Sequence, residues 1–189
     1  MPETPMLKTE RLMLRRWRHG DREPFAAMNA DPEVMEHFPA TLTPEESDAV
    51  IDRIEAHFEE HGFGLWALEI AETGQFIGFT GLSVPDFEAH FTPAVEIGWR
   101  LTRSSWGHGY ASEAAQRALT FALDDLQLAE VVSMTSHTNL RSQMVMKRIG
   151  MSNDPADDFD HPLVDEDHPL QPHVLWRMTA ERWRARHPG

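Results

Sequence analysis

The segment of this chain whose residues most plainly suit chemistry is Trp106-Gly107-His108-Gly109-Tyr110-Ala111. Its two glycines can take backbone angles closed to other residues and let the main chain approach a ligand closely. A helix starting directly after them would add unpaired N–H groups and the positive end of its dipole, a combination suited to a pyrophosphate. Two glycines alone more often mark a tight turn that holds nothing. Competing phosphate motifs can be checked letter by letter. A Walker loop would close on Gly-Lys-Ser/Thr, which is missing, and a dinucleotide fingerprint would need glycine where Ser112 stands. A second group, Asp157, Asp158, Asp160, His161, Asp165, Glu166 and His168, has metal-ligand residue types. Its spacing fits neither an EF-hand nor a common zinc pattern, so it reads as an acidic loop facing a substrate, and no metal is expected.

Composition narrows the remaining chemistry. The chain has 189 residues and no cysteine, which removes disulfides, zinc ribbons, iron–sulfur ligation and thiolate nucleophiles. A formal charge of −14 argues against general nucleic-acid binding, which needs a basic footprint to displace counterions. The charge is uneven: Lys8, Arg11, Arg15, Arg16 and Arg18 crowd the start, whereas residues 154–167 hold seven carboxylates and no Lys or Arg. Such runs are most simply solvated surface. Residues 1–9 are polar and proline-bearing, unlike a signal peptide, and no stretch approaches membrane-spanning length. A soluble, cytoplasmic, single-domain protein over residues 1–189 is expected. A second copy could associate along a sheet edge or the long acidic loop to make a homodimer.

The elements that must position the glycine segment follow from hydrophobic period and punctuation. Leu12, Leu14 and Trp17 alternate with arginines as in a strand, and Asp21 is placed to cap a short helix over residues 22–30. Thr43-Pro44-Glu45-Glu46 is a capping box with proline at the first helical position, predicting a helix to His61 that stops at Gly62. Residues 63–70 and 75–84 form β-prone runs around a turn at 71–74, and a third strand covers 95–101. After Gly109, Ala111, Ala114, Ala115, Ala118, Leu119, Ala122 and Leu126 draw one helical stripe. A strand at 131–135 precedes a second stripe, Leu140, Met144, Val145 and Ile149, stopped by Gly150. Residues 153–170 read as loop and 174–178 as a final strand. The order is mixed α/β, with hairpins first and strand–helix units later.

On these motifs the sequence resembles the GNAT superfamily of N-acetyltransferases, whose acyl-CoA loop follows Gln/Arg-x-x-Gly-x-Gly/Ala. Trp106, Gly109 and Ala111 stand at its defining positions, with Trp106 replacing Gln or Arg. Trp-Gly-x-Gly-Tyr-Ala, continued by Glu113 and Ala114, is similar to the branch containing the ribosomal-protein N-terminal acetyltransferases. Downstream, Asn139-Leu140-Arg141-Ser142 followed by Ile149-Gly150-Met151 resembles the family's Asn-x-x-Ser helix and its Leu-Gly-Phe end. Leu7 to Arg15 is similar to the opening strand, Val95-Glu96-Ile97-Gly98-Trp99 to the strand lining the acyl-CoA cleft, and His173 to Thr179 to the closing strand.

The resemblance implies a GNAT acyl-CoA N-acyltransferase fold, an α/β (α+β) arrangement with a mixed, mostly antiparallel central sheet flanked by helices. It implies acetyl-CoA as cosubstrate and an amine acceptor, a peptide or protein N-terminus, with a small amine or a non-catalytic acyl-CoA-binding module as alternatives. Cofactor-binding positions so implied are Trp99, Leu101, Arg103, Trp106, Gly107, His108, Gly109, Tyr110, Ala111, Asn139 and Ser142. A backbone N–H between residues 97 and 101 would serve the acyl oxygen, Asn139 the pantetheine amide and Ser142 the leaving thiolate, although Asn139 and Ser142 also suit helix capping. An attacking alkyl amine must lose a proton held with a pKa of about 10.4. Glu96, on the strand before the glycine loop, is the candidate base, directly or through water; its alternative is a strand carboxylate paired with an arginine. CoA phosphates on an acidic protein need local cations, for which His108, Arg103, Arg141, Lys147 and Arg148 are near in sequence. Carboxylates of residues 154–168, if they face the acceptor, would favour cationic acceptors.

Overall fold

The computed structural model describes residues 5–188; residues 1–4, the start of the polar amino-terminal segment, and residue 189 lie outside the described residues. Strands β1 (Leu7–Lys8) and β2 (Leu12–Arg15) lead through a 3-10 turn (His19–Asp21) into helix α1 (Arg22–Ala30) and, after a loop over 31–43, α2 (Pro44–His61). Next come β3 (Leu65–Ile70), β4 (Phe76–Ser83) and β5 (Glu96–Leu101). Helix α3 (Tyr110–Thr120) runs on into a π-helical turn (Phe121–Asp125). The chain then forms β6 (Glu130–Ser136), α4 (Leu140–Arg148), β7 (Ser152–Asn153), β8 (Phe159–Asp160), β9 (Pro172–Thr179) and α5 (Ala180–Arg186).

Local signals account for much of this. The Thr43 hydroxyl accepts the Glu46 N–H and the Glu46 carboxylate accepts the Thr43 N–H, closing the box that starts α2, and Gly62 ends it at φ 74°. The expected cap of α1 is a correction. Asp21 makes no capping bond to α1; its carboxylate is buried and receives Arg15 Nη1 and Nη2 at 2.7 and 2.9 Å, plus the Arg18 N–H. A buried guanidinium left without its partner would cost more than an uncapped helix end, so Arg15 wins the competition. The 153–170 segment is not all loop, because β7 and β8 each pair with β9. Helix α5 had no expected counterpart; it is capped by Thr179 and anchored by buried Trp183, whose Nε1 donates to Asp124.

The strands form one sheet in the order β1-β2-β3-β4-β5-β6-β9-β7, with β8 on β9. Every neighbouring pair is antiparallel except β5–β6. Strand alternation sorts the faces. Arg15, Ala67, Phe79 and Arg100 lie in register across one face, where Phe25 of α1 packs on Phe79. Leu14, Leu68 and Leu101 lie on the other, which the alanine stripe of α3 and Met146 of α4 cover. The β5–β6 junction joins the two halves of this sheet.

Candidate active site

The β5–β6 junction is a split. The parallel strands are in register only at Glu96↔Val132, whereas β4–β5 stays paired from Ser83↔Glu96 to Gly78↔Leu101. Side chains end the ladder. A continued parallel ladder would carry the Met134 N–H to the Ile97 carbonyl. Instead the Ser133 hydroxyl donates to that carbonyl at 2.8 Å, and the Met134 N–H bonds the Glu96 carboxyl. The Ile97 carbonyl is thus satisfied locally and the Met134 N–H turns to the Glu96 carboxyl, so the strands can part at this point. Beyond this point the N–H and C=O of Trp99 and the N–H of Leu101 face the opening with no β6 partner. The Leu101 carbonyl accepts Trp106 Nε1 at 3.0 Å.

The glycine segment lies at the wide end of the split. Gly107 and Gly109 have φ of 78° and 81°, the left-handed region that favours glycine, and Gly109 is the residue from which α3 starts. The Trp106 N–H bonds the Arg103 carbonyl and the Glu113 N–H bonds the Gly109 carbonyl. Among the described residues, none of the intervening amides, from Gly107 to Ser112, has a protein acceptor. A run of free donors at a helix N-terminus has the chemistry that suits an anion. Its frame is rigid: Glu113, in the first turn of α3, accepts the Arg11 N–H, Arg11 Nε and the Thr9 hydroxyl. Burial would raise the Glu113 carboxyl, but these hydrogen bonds outweigh it and hold the group below its ordinary range. Tyr110 is packed between the parallel His108 ring, 5.4 Å away, and the Arg11 guanidinium at 4.7 Å.

Helix α4 brings the second motif to the same place. Asn139 Oδ1 caps it by accepting the Ser142 N–H, and Asn139 Nδ2 donates to Thr135 on β6. The guanidinium of Arg141 lies 4.4 Å over the Trp106 ring, so the helix and the glycine loop touch. Of the other cations, His108 is exposed on the loop with Nδ1 near the Trp106 carbonyl. Arg103 is engaged by Glu33 and Asp31, and Lys147 and Arg148 lie in the last turn of α4, away from Arg141.

The α1 face closes the split from the opposite side. Glu96 sits at its apex, where burial pushes the carboxyl up to about 7 against the opposing bonds from Met134 and Ser83. Gly98 and Arg100 follow on the same face. The α1–α2 loop crosses over them: Phe38 stacks 4.1 Å from the Arg100 guanidinium on β5, while Nδ1 of His37 is 3.4 Å from the hydroxyls of Ser136, the last residue of β6, and Thr138 just after it. Burial lowers the His37 pKa, and Arg141 adds to that effect while Glu36 opposes it. Near the end of β6, Asp158, Asp160, His137 and His173 line a shallow hollow of about 240 Å³.

A split sheet, a run of free amides at its mouth and a carboxyl at its apex make up the candidate site. Residues 11–152 match the family model described as acetyltransferase (GNAT) domain. The chain belongs to the GNAT acetyltransferase family. It is 35% identical to the FsC-acetyl coenzyme A-N(2)-transacetylase of Aspergillus fumigatus, over 95% of this chain and 78% of that protein. It is 28% identical to the uncharacterized protein YkkB of Bacillus subtilis, over 77% of this chain and 84% of that one. The crystal structure of the acetyltransferase from Agrobacterium tumefaciens superposes with a TM-score of 0.74 at 29% identity, covering 92% of this chain and 94% of that one.

GNAT enzymes use acetyl-CoA, and this chain is an acetyltransferase on the GNAT fold. Among the sequence-derived positions, Trp99, Leu101, Trp106, Gly107, His108, Gly109, Tyr110 and Ala111 gather along the split and its mouth, with Asn139 and Ser142 at the start of the helix that meets it. Glu96 is at the apex, and no arginine is among the groups that shift its carboxyl within the described residues. Arg103 is turned toward the α1–α2 loop. Sequence reasoning missed Arg11, His37 and Arg100. Arg11 sat in a basic run without a distinguishing mark, and the positions of His37 and Arg100 depend on a loop crossing that no local pattern encodes.

Proposed function

We propose that this acetyltransferase transfers the acetyl group of acetyl-CoA directly to a small primary amine in a ternary complex, with Glu96 accepting the proton. The observation that carries the reading is the unbonded amide run from Gly107 to Ser112, opening onto a split whose apex holds a carboxyl with a pKa of about 7. The cradle amides, with Arg141 and His108 nearby, suit the pyrophosphate. The free Trp99 carbonyl and Leu101 N–H suit a pantetheine amide laid along β5 as an added strand.

In the step itself, the amine nitrogen attacks the thioester carbonyl carbon while its proton passes to Glu96 directly or through water. The Trp99 N–H stabilises the oxyanion, the carbon–sulfur bond breaks, and the departing sulfur leaves as CoA thiol after receiving a proton with the help of Ser142. The products are an N-acetyl amide and CoA. A group poised near 7 can both accept and release a proton at neutral pH.

The acceptor expected from the ribosomal-protein resemblance is a protein or peptide N-terminus. The Aspergillus fumigatus relative is named for transacetylation at a numbered nitrogen, N(2), and a name built on an atom number supports a small amine. Initial rates of CoA-thiol release, measured with acetyl-CoA against a panel of small primary amines and N-terminal peptides, test both points. Intersecting double-reciprocal lines and higher kcat/KM for small amines are expected. Parallel lines would overturn direct transfer, and preferred peptides would overturn the acceptor class.

A further inference from the structure

The α1 face of β5 carries a feature that acetyl transfer does not require. Glu96, Gly98 and Arg100 alternate onto that face, under the loop that crosses from Phe38 to His37. A Cβ built on Gly98 would meet nothing within 4 Å, so open space lies between the two charged side chains. At the far end, Arg100 Nη1 donates to Asn29 Oδ1 at 2.7 Å, but its Nε is buried with no partner. Among the described residues it forms no ion pair, in contrast to Arg15, Arg16, Arg22, Arg103 and Arg177. Two phenylalanine rings, Phe38 at 4.1 Å and Phe79 at 5.4 Å, remove water from it. Burial correspondingly lowers its pKa to about 10. A desolvated guanidinium beside an open slot, with hydrogen-bonding capacity left over, suits a planar anion, and its fork matches a carboxylate.

We propose that the slot over Gly98 selects small acceptors carrying a carboxylate as well as the reacting amine, the carboxylate on Arg100 and the amine at Glu96. This deepens the transfer reading and rests on it. Four residues of strand separate the Glu96 and Arg100 Cα atoms by about 13 Å. The reach of the two side chains alters that span between their functional groups, so acceptors of several lengths between amine and carboxylate are compared.

The test is calorimetric titration of the CoA-saturated protein with 4-aminobutyrate, 6-aminohexanoate and 8-aminooctanoate, each against the alkylamine of equal length. At least one amino acid should bind about tenfold or more tightly than its matched amine. Arg100→Gln should erase that difference without changing CoA affinity. Gly98→Val, which fills the slot at a position without a positive φ, should block the amino acids while the melting temperature and CoA affinity stay at wild-type values, and it decides the matter if Arg100→Gln does not fold. Equal affinities, no binding by any of the amino acids, or a preference that survives Arg100→Gln would overturn the proposal. Thiol release with acetyl-CoA on the same panel separates the two readings. Release without a carboxylate preference removes the slot assignment alone, and a preference in binding without release on any amine removes the transfer mechanism alone.

Discussion

Replacing Glu96 by glutamine removes a charge and little volume, and it should make the protein slower and more stable at once. The carboxyl ionises near 7 in the fold, against an ordinary 4.5, because burial disfavours its charged form. Between those values the folded chain holds the proton that the unfolded chain has released, so stability falls as pH rises from 4.5 to 7 and the full penalty applies above 7. That gap corresponds to about 3 kcal/mol, an upper bound because Glu96 retains partial solvent contact. Glutamine incurs none of it. Urea titrations should therefore find Glu96→Gln more stable than wild type by up to about 3 kcal/mol at pH 8.5 and by less than about 1 kcal/mol at pH 5. Rates should move the other way. Loss of a positioned base lowers kcat by roughly 10²–10⁴-fold. The wild-type to variant rate ratio, measured by CoA-thiol release with one acceptor, should grow with pH up to about 7 and level off above it, which cancels the titration of the amine itself. A ratio constant from pH 5.5 to 8.5, or a stability difference independent of pH, would refute the reasoning.

Two further outcomes follow from the site and its supports. Gly109→Val forces a β-branched residue into φ 81°, where its Cβ would meet only Arg11 Nη2 at 3.6 Å, so the fold should survive while CoA affinity drops at least tenfold by calorimetry. Asp21→Ala strips the buried Arg15 of its bidentate partner and should cost about 3 kcal/mol in urea unfolding with CoA affinity unchanged, since the pair lies away from the split.

Features encoded locally were legible in the sequence. The Thr43 box, Gly62, the alanine stripe of α3 and the Asn139 cap all report nearest-neighbour physics, and each element lies within a few residues of its expected bounds. The glycine loop was legible because positive φ selects glycine. Asp21 misled because its capping position competes with a buried arginine six residues away, a contest settled by burial. The split was not legible: it depends on the Ser133 hydroxyl and the Glu96 carboxyl taking backbone groups from the opposite strand, 36 residues away in the Ser133–Ile97 bond. Arg100 and His37 were hidden for the same reason, their roles being set by what the α1–α2 loop crosses. Strands β7 and β8 are each two residues long, too short to leave a period.

The central claim is that the amides from Gly107 to Ser112 hold the CoA pyrophosphate at the mouth of the β5–β6 split. Backbone amide NMR during a CoA titration tests it most directly. The account predicts that the amide signals of Gly107 to Ser112 and of Trp99 and Leu101 shift together along one saturable curve, while those of α5 stay in place. CoA binding that leaves the Gly107 to Ser112 amides unmoved, or no CoA binding by the folded protein, would contradict it.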